Sequence, residues 1–265
     1  MCCMCASLAF AQSYEQYVER ALAAVEADSL AEAEALFRSA LTSAPDDYRN
    51  ALVYMNLGRI QMTKGKQQEA LRWYSMAVDM FPESLPFVEA RAGLYLDLGN
   101  DGKALLDYDN IIDIDPEHVD AHACRGYIYY RRRDYDKALR DYEFVLSRVP
   151  DHYRGGLGLA LTLDCMGRAT EAMDRMSILI GEYADRAELY AVRADMEARG
   201  GHTDMALLDW DKAVELAPDN AQYVLARGCL HYTAGNDRMS RRDWDKAVEL
   251  GVPRGRIREI MKELK

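Results

Sequence analysis

Along this chain, small, aromatic and charged positions follow one another in a fixed order that returns every 34 residues. The octapeptide DWDKAVEL occupies 209–216 and recurs at 243–250, with weaker echoes around Tyr108 and Tyr142. One set of small residues stands at Ala21, Gly58, Ala92, Gly126, Ala160, Ala194 and Gly228. A second set stands at Ala33, Ala70, Ala104, Ala138, Ala172 and Ala206, with Ser240 in the last unit. Four residues after each member of the second set comes a large side chain: Phe37, Tyr74, Tyr108, Tyr142, Met176, Trp210 or Trp244. A spacing of four places both on one face of a helix. A small residue at a helix crossing keeps the axes at their usual separation, and the large neighbour fills the space toward the adjoining unit.

Between the two small positions a turn marker recurs at Gly65, Gly99, Arg133, Gly167, Gly201 and Gly235. Glycine closes a helix in the left-handed conformation without penalty, so each unit is predicted to be helix, tight turn, helix. Arg133 is expected in a strained or remodelled turn. Helix ends are marked by Pro45, Pro82, Pro116, Pro150 and Pro218, with Ala184 in the fifth unit. The step from Pro45 to Pro82 is 37 residues, the one irregular interval. A period of this length signals stacked supersecondary units.

These markers resemble the tetratricopeptide repeat pattern of small, glycine, aromatic and proline positions over nearly the whole chain. The clearest unit contains Tyr54, Leu57, Gly58, Ala70, Tyr74, Ala77 and Pro82. The resemblance implies an all-α fold: a right-handed α-solenoid of about seven helix-turn-helix repeats. Units are expected near 14–47, 51–84, 85–118, 119–152, 153–186, 187–220 and 221–253, together an array over 12–253. The last segment, 254–265, carries Ile257, Ile260, Met261 and Leu264 at helical spacing and is expected to cap the final repeat.

The net charge of −11 sets the chain against nucleic acid and anionic lipid surfaces as partners. No apolar run is long enough to span a bilayer. The opening MCCMCASLAFA is nevertheless apolar and uncharged, and Ala9-Phe10-Ala11 fits a small-x-small cleavage site. Residues 1–11 are therefore expected to be a signal peptide or its remnant, placing the product in the periplasm or outside the cell; without that signal it would be cytoplasmic. Cys124, Cys165 and Cys229 are scattered singly and imply no disulfide framework or zinc site.

Little catalytic chemistry is legible. The acids Asp107/Asp109, Asp141/Glu143, Asp209/Asp211 and Asp243/Asp245 stand two apart on helices, point to different sides, and read as solvated outer-face residues. His118 and His122 have no third and fourth ligand nearby in the sequence. No nucleophile elbow, HExxH or phosphate-binding loop occurs. A non-catalytic protein with no cofactor and no metal is expected.

The resemblance places ligand binding on the concave face, lined by the first helix of each unit. Candidates there are Arg59, Tyr127, Tyr130, Arg131, Arg154, Leu157, Asp195, Arg199 and Tyr232, with Leu52, Met55, Glu89, Leu96 and Leu161 beside them. The tyrosines and arginines around Tyr127, Tyr130, Arg131 and Arg154 are the expected hot spot, because such side chains bury area at low entropic cost. Asn56 with Arg59 is the only fragment of the carboxylate clamp some family members carry. The implied function is an adaptor that binds a protein or peptide and is a monomer or weak oligomer. The alternative is a self-associating scaffold of the cell envelope.

Overall fold

A computed structural model describes the backbone of residues 2–264 and the side chains of residues 14–264. The leader expected at 1–11 therefore lies outside the residues whose side chains are described. Among the described residues every regular element is a helix. The first repeat is α1 (Cys2–Glu26) and α2 (Leu30–Ser43); the second is α3 (Asn50–Thr63) and α4 (Gln67–Met80). Then come α5 (Leu85–Asp97) with α6 (Asp101–Ile114), and α7 (Val119–Arg131) with α8 (Tyr135–Arg148). The series continues through α9 (Tyr153–Cys165), α10 (Ala169–Glu182), α11 (Ala187–Arg199) and α12 (Thr203–Leu216). It ends with α13 (Ala221–Thr233), α14 (Asp237–Glu249) and the cap α15 (Arg254–Glu263). The fold class is the all-α class of stacked helical hairpins. The chain divides into two compact units, Met1–Ile128 and Tyr129–Lys265, and the division falls inside α7.

Each hairpin turns by the same device. The residue after the turn donates its amide to a carbonyl five residues back: Ser29 to Ala24, Lys66 to Gln61, Asn100 to Tyr95, Asp134 to Tyr129, and so on to Asn236 and His231, at 2.8–2.9 Å. This bond satisfies an orphan carbonyl at the helix end and requires a left-handed residue in between. Gly65, with φ of 72°, supplies it in the second repeat. Arg133 adopts φ of 60° without glycine's freedom, as its place in the series implies. Asp28 does the same at 55° in the first repeat, 37 residues before Gly65.

The small positions are where the helices nearly touch. Ala21, Ala92, Ala160, Ala194, Ala33, Ala70 and Ala206 are fully buried. A Cβ added to Gly58 would lie 2.2 Å from the ring of Tyr74, and one on Gly228 would lie 2.8 Å from Trp244. A third small position, unnoticed in the sequence, receives the large side chain from the preceding repeat. Phe37 shares a core cluster with Val53, Tyr74 with Ala90, Tyr108 with Cys124, Met176 with Val192 and Trp210 with Ala226, always sixteen residues apart. At the same offset Gly158 meets Tyr142, which leaves no room for a Cβ.

The paired acids require a correction. Asp107, Asp209 and Asp243 are buried rather than solvated. Each receives two hydrogen bonds of 2.7–2.8 Å from an arginine sixteen residues earlier: Arg91, Arg193 and Arg227. The carboxylate in turn raises the proton affinity of its guanidinium. The second acid of a pair points the other way, toward the next repeat: Asp109 accepts from Arg125 at 2.9 Å and Asp211 from Arg227 at 2.8 Å. The second repeat fills the equivalent places with Leu57, fully buried, and Trp73.

Breaking a buried pair strands a charge, whereas replacing both members with apolar side chains removes the desolvation cost with the attraction. Asp209→Ala is expected to destabilise by about 2–3 kcal/mol, below the cost for a fully buried pair because Arg193 keeps some solvent contact. Arg193→Leu with Asp209→Leu should stay within about 1 kcal/mol of the parent chain. Thermal melts followed by circular dichroism decide it: a double variant weaker than the single one would refute the assignment.

Candidate functional site

Within the first unit a depression lies between the first helices α1 and α3. Tyr14, Val18 and Leu22 repeat every four residues along α1 and form one wall; Leu52, Val53 and Asn56 of α3 form the other. Phe37 of α2, fully buried, closes the floor. The open groove has a volume of about 530 Å³ and a largely apolar lining. Leu22 is 43% exposed and Leu52 is 61% exposed, so apolar surface remains in water on both walls. Glu15 and Glu19, one turn apart, line the same groove.

The chain irregularity in this region sits beside the groove. The connection 44–49 has six residues, whereas the later connections between repeats have four. It carries Arg49, which grips Asp47 at 2.7 Å, Glu15 at 3.0 Å, and lies over the ring of Tyr14 at 4.7 Å. Arg49 holds the Asp47 carboxyl below its usual range, and burial pushes the Tyr14 hydroxyl up to about 12. Asn50 donates to the carbonyls of Ala44 and Pro45, which fixes the start of α3. Glu15 is thus occupied, while Glu19 is exposed with no cation in ion-pair range among the described residues. A second strap joins these repeats: Glu34 of α2 accepts from Lys64 at 2.7 Å and from Arg38 at 2.8 Å.

Within the first unit, Arg59 lies exposed on α3 one turn beyond Asn56, and Tyr127 is 46% exposed on α7. Met55 is half-buried against Tyr74 and Leu94. His118 pairs with Glu89, and His122 bonds the carbonyl of Pro116 at 3.1 Å, so both histidines serve the turn around Pro116. Within the second unit several candidates are occupied. The hydroxyl of Tyr130 lies 4.0 Å from the Cys165 thiol and its ring packs on Tyr135; burial pushes that hydroxyl up to about 12. Arg199 pairs with Asp164, Leu157 packs into the core around Met176, and Tyr232 packs on Trp244 at 5.3 Å. Arg131, Arg154 and Asp195 are exposed. The contacts Tyr130–Cys165, Tyr153–Glu188 and Asp164–Arg199 span 35 residues and tie consecutive first helices side by side. Among the described residues no group of histidine, cysteine and carboxylate side chains is placed to hold a metal.

Comparison with known proteins settles the family. A family model described as Tetratricopeptide repeat matches residues 18–84 and 124–187. The crystal structure of a tetratricopeptide repeat protein from Parabacteroides merdae ATCC 43184 is 30% identical over 96% of this chain and 99% of that one, with a TM-score of 0.77. The chain belongs to the tetratricopeptide repeat family. Among more distant structures, PilW, a type IV pilus biogenesis factor, is 15% identical over 73% of this chain and 90% of its own, with a TM-score of 0.66. YrrB, a repeat protein with an unusual peptide-binding site, is 16% identical over 72% of this chain and 97% of its own, with a TM-score of 0.57. Identity at that level shows a common fold alone. No curated protein matches the chain.

The strap at Glu34 predicts an acid-sensitive first unit. Its carboxyl is lowered from 4.5 to about 2, first by the hydrogen bond from Lys64. A lowered carboxyl contributes stability that is present above pH 4.5 and is lost as pH falls toward 2. Glu34→Gln should therefore narrow its stability gap from the parent between those limits, read as melting temperature against pH. A gap that stays constant on acidification would remove the strap's role.

Proposed function

We propose that this tetratricopeptide repeat protein is a non-catalytic adaptor that captures a peptide segment of a partner protein in the groove between α1 and α3. The observation that carries this reading is the exposure of Leu22 and Leu52 on facing walls of one preformed depression. Concave, mostly apolar sites with a few placed polar groups are the usual form of ligand pockets. The occupant would present one or two apolar side chains to the groove and a lysine or arginine to Glu19. Asn56 and Arg59 lie along the same helix to receive its backbone and acidic groups. The fold's use in YrrB, which has a peptide-binding site, is in keeping with this role.

Peptides selected from a displayed library on the immobilised full chain test the reading. Leu52→Glu is expected to weaken the selected peptides by about tenfold or more, since it puts a charge in the apolar wall. Tyr127→Ala with Arg131→Ala tests the rival surface. Peptides that ignore Leu52→Glu but are lost on the second variant would move the site to the fourth repeat.

We also propose export of the protein, on the apolar opening and the Ala9-Phe10-Ala11 pattern. The mature chain would begin at Gln12 in the periplasm or outside the cell. No helix of the described residues is long and apolar enough to cross a membrane. N-terminal sequencing of protein from the native host should read from Gln12; an intact MCCMCASLAFA would end the proposal.

A further inference from the structure

The net charge of −11 conceals a strong separation of sign along the chain. The first repeat, 14–47, carries eight carboxylates against Arg20 and Arg38, whereas 237–265 carries nine lysines and arginines against six acids. The acids at the first hairpin tip are available. Glu26 ends α1, Asp28 sits in the turn, and Glu32 lies in the first turn of α2; all are exposed. None has a cation in ion-pair range among the described residues. At the other end, Arg238, Arg241 and Arg242 share one face of α14 at i, i+3 and i+4. They line an open depression of about 900 Å³ beside Arg227 and Lys246, which also carries Asp237, Asp243, Asp245 and Glu249. Arg227 is already held by Asp211 and Asp243, and Lys246 lies 3.4 Å from Glu249. The other three arginines are exposed and have no carboxylate in ion-pair range among the described residues.

We propose that a second copy of the chain docks the acidic tip of its first repeat onto this arginine face, head to tail. Both patches flank a hairpin tip, since Arg238 follows Gly235 within one turn. The cap α15 buries Ile257 and Ile260 and lines a cleft with Trp244, Asp245 and Val248 through Arg254 and Arg258, so the contact is made on the exposed flank of α14 beside the cap. The contact joins two different surfaces, so each added copy exposes a fresh end and association is open-ended. Exposed ion pairs are individually weak and screened by salt, so the contact is salt-sensitive and depends on several charges at once.

Sedimentation velocity of the full chain over a concentration series tests this, at about 20 mM and about 500 mM sodium chloride. Mass is expected to grow with concentration in low salt and to fall to the monomer in high salt. The triple variant Arg238→Glu, Arg241→Glu, Arg242→Glu should remain monomeric, as should Glu26→Lys, Asp28→Lys, Glu32→Lys. Circular dichroism melts confirm that each is folded. Mixing the two variants restores opposite charge at the junction and should restore association. A parent chain that is monomeric throughout, variants that associate like the parent, or a folded mixture that stays monomeric would each overturn the proposal. Peptide capture in the α1–α3 groove is read separately with Leu52→Glu and is independent of these outcomes.

Discussion

Close steric fit between one large side chain and two small neighbours is the constraint on which the fold depends. The large residue of each second helix lies against its own hairpin, where Gly58 leaves no room for a Cβ under Tyr74. It also reaches the first helix of the following repeat, where Gly158 accepts Tyr142 at the same limit. Protein interiors are packed to crystal density, so a single added methyl group in such a place is felt. Sixteen residues separate the large side chain from the position that receives it in the next repeat, and this offset fixes the register between neighbours. The glycine turns and the prolines then set where each helix stops, but they do not choose what packs on what.

A second layer of specificity is electrostatic. Buried arginine–aspartate pairs add little net stability compared with apolar residues of the same size, and the second repeat manages with Leu57 and Trp73. What the pairs add is direction. Arg193 needs its bidentate carboxylate at one point of the facing helix, whereas leucine accepts many. In Asp107/Asp109 and Asp209/Asp211 the first acid locks a hairpin shut and the second reaches for the next hairpin, which explains why they stand two apart on a helix.

Much of this was legible from spacing. The repeat period, the turn at Arg133 with its positive φ and the burial of the alanine series all follow from residue order, because each is a local requirement repeated many times. The buried acids were not legible: their counterpart is an arginine sixteen residues away in sequence, and an aspartate on a helix reads as solvated until that partner is placed. The groove between α1 and α3 was missed for a related reason. Its one sequence signal is the 37-residue interval, which lengthens the connection carrying Arg49, and an insertion says nothing of which walls it leaves uncovered. The expected hot spot proved divided in character, with Tyr127 exposed and Tyr130 engaged by Cys165 and Tyr135.

Arg227 holds Asp243 of its own hairpin and Asp211 of the hairpin before it. In a linear array each module is stabilised by itself and by its neighbour, and the terminal module, with one neighbour missing, is the first to fray. A guanidinium shared by two hairpins raises the neighbour contribution where it is needed most. Loss of the last repeat would take Arg227 with it and leave Asp211 without its cation, so the last hairpin adds to the stability of the one before it as well as its own.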